Sequence, residues 1–155
     1  MPIKRFIIRV YGLIHRNWDE VLLAEEFHFN TFMRKFPGGG LEFGEGPAEC
    51  LMREIREELG VSLQLGEHLH TTSVFIQSAF NEEHQVIGIY YMVDADDELI
   101  ARFRDDYSLP EENGVENFRW IHPESISLSD ITFAADQQAF EVFLRKRSER
   151  KGGLA

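Results

Sequence analysis

Apolar positions set the first landmarks along the chain. From Arg5 to Ile14 the sequence is dense in Ile, Val, Phe and Tyr, and Val21 to Glu26 repeats that character after His15-Arg16-Asn17-Trp18-Asp19. β-Branched and aromatic residues favour extended backbone, so these runs are expected to be two strands of a hairpin. A short strand through Lys35-Phe36 is expected to end at Pro37-Gly38-Gly39-Gly40, because proline lacks an amide donor and glycine admits positive φ. The apolar period then lengthens to about 3.6 residues. Ala48, Leu51, Met52, Ile55 and Leu59 share one stripe, which predicts a helix from Pro47 to Leu59. Pro47 suits its first turn and Gly60 its end. Beyond it, Val61 to Gln64 can be extended, and Thr71 to Ala79 and Val86 to Asp94 read as strands around a turn at Asn81-Glu82-Glu83-His84. Asp94 to Asn113 is acidic and irregular. Glu116 to Ile121 alternates as a strand does, and Ala134 to Arg147 has a helical apolar face of Ala135, Ala139, Phe140, Phe143 and Leu144. This order predicts a mixed sheet covered by helices on both faces, in the α/β (α+β) class. Residues 1–150 are expected to form one domain and 151–155 a frayed tail.

Composition narrows the function. The formal charge of -11 repels nucleic acids and anionic membranes. The basic stretch from Arg145-Lys146-Arg147 to Lys151 closes the last helix, where cations complement the helix dipole. Cys50 is the only cysteine, so no internal disulfide can form. No apolar run reaches the roughly 20 residues that span a bilayer, and the N-terminus does not read as a signal peptide. The expectation is a cytoplasmic protein. If its substrate is anionic, bound divalent cations are an economical way to neutralise it.

The Pro47–Leu59 helix raises the chemical question. Glu54, Glu57 and Glu58 fall within an arc of roughly 100° beside the apolar stripe. Like charges at these spacings cost a bare helix a few tenths of a kcal/mol each, about the size of one favourable pair. Arg53 and Arg56 can offset that cost on a solvated face. A metal site is the other reading, because Mg²⁺ takes carboxylates, water and substrate phosphates. The preceding glycines and Glu45 favour it by bringing backbone and carboxylate oxygens near the same helix.

The segment from Gly39 to Val61 resembles the Nudix box. It has Gly39, five residues, Glu45, seven residues, then Arg53-Glu54-Ile55-Arg56-Glu57-Glu58-Leu59-Gly60-Val61, with every fixed position filled. The resemblance implies an α/β/α sandwich in which the box is a loop, helix and loop. It implies hydrolysis of a phosphoanhydride bond in a small nucleotide-like substrate, with Mg²⁺ or Mn²⁺ on Glu54, Glu57, Glu58 and the Gly38 carbonyl. Arg53 would orient a box glutamate, Gly39 would permit the loop geometry, and Glu45 would anchor the loop or bind metal indirectly. Glu54 is the in-box candidate for accepting the proton. Glu111, Glu112, Glu116 and Asp136 are later candidates that otherwise read as solvated surface acids. Arg9, Arg34 and Lys35 are candidate phosphate holders. Phe27, Phe29, Phe32, Phe75, Tyr90, Tyr91 and Trp120 read mainly as core, with base stacking the alternative. The resemblance also allows a homodimer. Subfamily marks for ADP-ribose or dinucleoside polyphosphate substrates are absent around Thr71 to Ala79, so the leaving group stays open. A non-catalytic nucleotide sensor and a purely structural domain are the competing readings.

Overall fold

The computed structural model describes residues 2–103 and 110–152. Strand β1 (Arg5–Arg16) sends alternate side chains into two separate cores. Val10 and Ile14 pack with Leu51, Ile55 and Leu59 of helix α1 (Pro47–Leu59). Tyr11 and Leu13 pack with Phe140 and Phe143 of helix α3 (Ala134–Gly152). Strand β2 (Glu20–His28) divides likewise, with Leu22 in the first core and Val21 and Leu23 in the second. The result is a sheet between helical layers, the expected α/β/α sandwich. The short helix α2 (Asp97–Arg102) adds Leu99 to the α1 side.

Pairing around β1 and β2 makes the cleft. β1 runs parallel to β6 (His84–Asp94), from Arg5↔His84 to His15↔Asp94, and β5 (Leu65–Thr71) lies antiparallel on β6. β1 and β2 pair only at His15↔Val21 and Arg16↔Glu20, then part. Past that point β2 pairs with β3 (Thr31–Lys35) and β7 (Val115–Ile121), while β1 pairs with β4 (Gly38–Gly40). One mixed sheet thus has two branches joined at a closed end, and the chain crosses between them at Phe36-Pro37. The crossing is pinned where Gly12 N–H donates to the Pro37 carbonyl at 2.9 Å.

Several expectations change. The glycine run is a strand on β1 rather than a turn, and Thr31–Lys35 replaces the strand placed at Lys35-Phe36. A side chain at Gly38 would put its Cβ 2.1 Å from the Val10 carbonyl oxygen, so only glycine allows this pairing. The strand read at Thr71 to Ala79 lies earlier, at Leu65–Thr71. Residues 72–83 hold only an isolated bridge, Gln77↔Gln85, and Val74 and Phe75 are exposed. The acidic stretch contains α2, started by Asp96, whose side chain accepts from Leu99 N–H at 2.9 Å. Residues 104–109 of that stretch lie outside the described residues. α3 continues through Gly152, so part of the expected tail is helical, and residues 153–155 lie outside the described residues. Among the described residues, no helix is long and apolar enough to cross a membrane.

Candidate functional site

Helix α1 owes its position to both ends. Gly46 N–H donates to Glu49 Oε1 at 2.9 Å, Pro47 begins the first turn, and Gly60 closes the last with φ 70° and its N–H on the Arg56 carbonyl at 3.0 Å. Leu51, Ile55 and Leu59 are buried, which fixes the rotation of the helix and turns Glu54 and Glu58 toward the cleft. Cys50 is buried too, its Sγ 3.5 Å from the Gly40 carbonyl, and burial first, then Glu45, pushes its thiol up to about 12.

Arg53 ties the box together. Its Nη2 and Nε donate to the two oxygens of Glu45 at 2.7 and 3.0 Å, a bidentate pair. The same guanidinium reaches Glu54 Oε1 at 2.9 Å, Glu57 Oε2 at 3.2 Å and the Gly40 carbonyl at 3.1 Å. Glu45 Oε1 also accepts from Glu42 N–H at 2.9 Å. The Arg53 hydrogen bonds, then this backbone bond, hold the Glu45 carboxyl down at about 2. Glu54 lies directly over the glycine strand: a Cβ on Gly39 would stand 2.3 Å from its Oε1.

Across the cleft, Glu26 and Glu116 are register partners of β2 and β7. Lys35 Nζ lies 3.2 Å from Glu26 Oε1 and 3.7 Å from Glu116 Oε2. Glu58 faces this group. Burial first, then the charges of Glu116 and Glu54, pushes Glu58 up to about 8, with Lys35 opposing. Burial also lifts Glu116 to about 7 against Lys35, and a hydrogen bond to Glu26 adds to the rise. Acidic side chains from both walls therefore crowd this end of the cleft, with Lys35 and Arg53 as their cationic partners. Among the described residues, no three acidic, His or Cys side chains already form a ligand cage. Arg53 accounts for part of this, because it draws Glu54 and Glu57 toward itself.

From Lys35 and Glu26 the cleft continues as a cavity of about 690 Å³ past Arg9, Tyr11 and Asp136, out to Phe29 and Phe80 at its mouth. That size lies within the range of small-molecule sites, roughly 300–1,000 Å³. Arg9 Nε donates to Tyr11 Oη at 2.5 Å. Burial first, then Asp136, pushes Tyr11 up to about 12. Asp136 itself is only 2% exposed. Its carboxylate accepts from Tyr90 O–H at 2.5 Å and from Phe36 N–H at 3.2 Å, and burial lifts it to about 6.

The sequence-derived residues divide accordingly. Glu45, Arg53, Glu54, Glu57 and Gly39 share one network, and Glu58 and Glu116 meet beside it. Arg9 and Lys35 line the cavity. Arg34 lies on the other face of β3, paired with the wholly buried Glu25 at 2.6 Å, where Arg119 also holds that carboxylate at 2.8 Å. Glu111 and Glu112 are exposed, whereas Asp136 is a buried acid rather than a solvated one. The aromatics divide as well: Tyr90 is core, but Phe29, Phe32 and Phe75 are exposed. Glu26 was not foreseen. Its place in β2 carries no mark in the sequence, and only pairing with β7 brings it to the cleft.

Comparison with known proteins adds to this geometry. A family model described as the NUDIX domain matches residues 5–143. The NAD-capped RNA hydrolase NudC of Stutzerimonas stutzeri is 25% identical over 132 residues, which is 85% of this chain and 42% of that protein. The chain thus spans less than half of that relative's length. The nucleoside triphosphatase NudI of Salmonella typhimurium is 33% identical over 101 residues, 63% of this chain and 67% of the relative. Among solved structures, the MutT protein of Methanosarcina mazei superposes with a TM-score of 0.66 at 27% identity, covering 92% of this chain and 96% of its own.

Proposed function

The chain belongs to the NUDIX domain family, and on that premise we propose that it is a divalent-cation-dependent pyrophosphohydrolase that cleaves a phosphoanhydride bond in a nucleotide-like small molecule. The observation that carries this reading is the Arg53 network of Glu45, Glu54 and Glu57 on α1 and its loop, set beside Lys35 with Glu26 and Glu116 at one end of a cavity of small-molecule size. Hard divalent cations take oxygen ligands, which these carboxylates supply. Mg²⁺ or Mn²⁺ would be held by Glu54, Glu57 and Glu58, with the Gly38 carbonyl as a further oxygen. When bound, the ion supplies charge neutralisation at the phosphate oxygens and acidifies water for attack on phosphorus.

The chain's own groups do the rest. Arg53 keeps Glu54 against the glycine strand and Glu45 against the loop. Glu54 accepts the proton from the attacking water, and Glu116 is the nearby acid that faces Glu58. Lys35 and Arg9, which line the cavity, hold the phosphates. Arg34 has no such role in this reading, being committed to Glu25. Asp136 positions Phe36 and Tyr90. The relatives are named for nucleoside triphosphates and NAD-capped RNA, both of which contain nucleotide phosphoanhydrides. Residues 1–150 act as one catalytic domain, in a cytoplasmic setting where free nucleotides reach it.

A panel of nucleotides tests this reading. Incubation with Mg²⁺ or Mn²⁺ should release phosphate, diphosphate or a nucleoside monophosphate from at least one of them, and chelation should stop it. No turnover on any member, with a melting temperature unmoved by metal, would overturn it.

A further inference from the structure

We propose that the uncovered end of the sheet on the α1 side, built around Phe6, Ile8, Phe75 and Phe43, docks a second copy of this chain, with Arg5 of one copy beside Glu42 of the other. Exposure along one face of β1 marks where cover ends. Val10 and Ile14 are fully buried with the core residues of α1, whereas Ile8 is 37% exposed and Phe6 67% exposed. Alternation along the strand puts these four side chains on the same face. The register carries that face across the neighbouring strands. Ile8 pairs with Ile87 and Phe6 with Gln85 on β6. On the far side of β6, the bridge Gln77↔Gln85 and the Val86 N–H bond to the Ile76 carbonyl at 2.8 Å set Phe75 beside Ile87. Phe75 is 61% exposed.

On the other side of β1, Leu41 N–H donates to the Ile8 carbonyl at 3.0 Å, and the chain then turns at Phe43, whose side chain is wholly exposed. That loop is braced. Glu42 N–H donates to Glu45 Oε1 at 2.9 Å, and Arg53 Nη2 donates to the same oxygen at 2.7 Å. A large ring held out on a braced loop has less freedom to lose on docking. Single exposed apolar residues are ordinary on a protein surface. Three phenylalanines and Ile8 at one end of one sheet form a patch of the kind that marks an interaction site.

Area and charge select a second copy as the occupant. The exposed parts of Phe6, Phe43, Phe75 and Ile8 come to roughly 500 Å² of apolar surface, at about 150–250 Å² for a whole aromatic side chain. Homodimer interfaces are about 65% apolar, so a core of this size belongs to an interface of about 800 Å² per copy, the size of a stable one. A chain of formal charge -11 repels its own copies over most of its surface. Here the rows Gln77–Gln85–Phe6 and Phe75–Ile87–Ile8 contain no ionisable group. At the rim, charges of opposite sign adjoin two of the rings: exposed Arg5 precedes Phe6, and exposed Glu42 precedes Phe43. A two-fold axis between copies would set the Arg5–Phe6 end of each against the Glu42–Phe43 end of the other, so that both contacts form twice. A partner surface of a single charge sign would satisfy only one of the two ends.

Sedimentation velocity of the wild-type protein at micromolar concentration should show a species of twice the chain mass. Phe6→Ser and Phe75→Ser should each weaken self-association about tenfold or more, as loss of an anchoring ring does. Phe29→Ser, which removes a ring of similar exposure from the β2–β3 turn, should leave it unchanged. Melts of dilute, dissociated samples should agree between wild type and the Phe6 and Phe75 variants, which separates a lost contact from a lost fold. Arg5→Glu and Glu42→Arg should each weaken the dimer, and the double variant should recover most of the loss. A wild type that stays monomeric at millimolar concentration overturns the proposal. So does a dimer that tolerates both serine variants, or a double variant no tighter than the single ones. A monomer retained by phosphatidylcholine vesicles would assign the face to a lipid surface and overturn it as well. No readout here needs turnover, so the dimer and the hydrolase reading stand or fall separately.

Discussion

Gly38 and Gly39 are adjacent, yet a methyl group would meet different obstacles at each. At Gly38 the added Cβ would strike backbone, 2.1 Å from the Val10 carbonyl oxygen and 2.7 Å from Tyr11 Cα. At Gly39 it would strike the Glu54 carboxylate, the end of a movable side chain. Gly38→Ala should therefore lose about 2 kcal/mol or more, read by urea denaturation. Gly39→Ala should fold nearly as well and lose turnover by about 10- to 100-fold, as expected when a carboxylate is displaced from its set position. Equal stability losses in the two variants would contradict this division. The sequence gives the loop-geometry role to Gly39 and only a carbonyl to Gly38, whereas the backbone obstacle stands at Gly38, because it belongs to β1. Asp136 was misread for a similar reason. Its partner Tyr90 lies 46 residues away, so nothing local announces burial. Asp136→Ala should cost about 2–4 kcal/mol, since Tyr90 O–H and Phe36 N–H would lose their acceptor. Tyr90→Phe, which removes one donor together with its need, should cost less in the same denaturation assay.

Elements were legible where their signals are local. α1 runs from Pro47 to Leu59, as its stripe and its flanking Pro47 and Gly60 predict, and α3 carries the expected apolar face. Residues 72–83 misled because apolar side chains there, Val74, Phe75 and Phe80, face outward instead of into the sheet. The closed end of the β1–β2 hairpin carries its own prediction. His15 is 4% exposed, its Nδ1 accepts from Trp18 N–H at 3.1 Å, and its Nε2 lies 3.1 Å from Asp94 Oδ1. Protonation at Nδ1 would set a donor against that amide. Burial lowers the His15 pKa, Arg150 adds to the fall, and Asp94 opposes both. The unfolded chain then binds the proton more readily, near pH 6.5, than the folded one. The His15 contribution is thus complete above about pH 6.5 and lost as pH falls through the lowered folded value. His15→Asn, which keeps an acceptor for Trp18 N–H without titrating, should flatten this part of the stability profile. Urea midpoints at pH 5 and pH 8 would show it, and an unchanged slope would assign the pH dependence elsewhere.

At the scale of the whole molecule, the formal charge of -11 and the clustered carboxyl groups bear on one another. A chain this acidic is destabilised by self-repulsion, and the cleft concentrates that cost where Glu26, Glu54, Glu58 and Glu116 converge. Arg53 and Lys35 offset part of it from the two walls. The branched sheet is what brings these walls together, since β1 and β2 separate after two paired positions and leave room for the acids between them. A dication that binds the folded cleft and not the unfolded chain must then stabilise the fold. At 100 times its dissociation constant the gain is about 2.7 kcal/mol. For a chain of this size that is about 5–10 °C in Tm. Mg²⁺ or Mn²⁺ should produce this rise in a thermal melt, and chelator should reverse it. Sodium chloride at the same ionic strength screens only the diffuse repulsion and should give a smaller shift. Glu58→Gln should melt higher than wild type without metal, because it removes a buried acid from a repulsive group, and should lose most of the metal-induced rise. If Glu58→Gln kept the full rise, the cation would be binding elsewhere on the acidic surface and the cleft would not be its site.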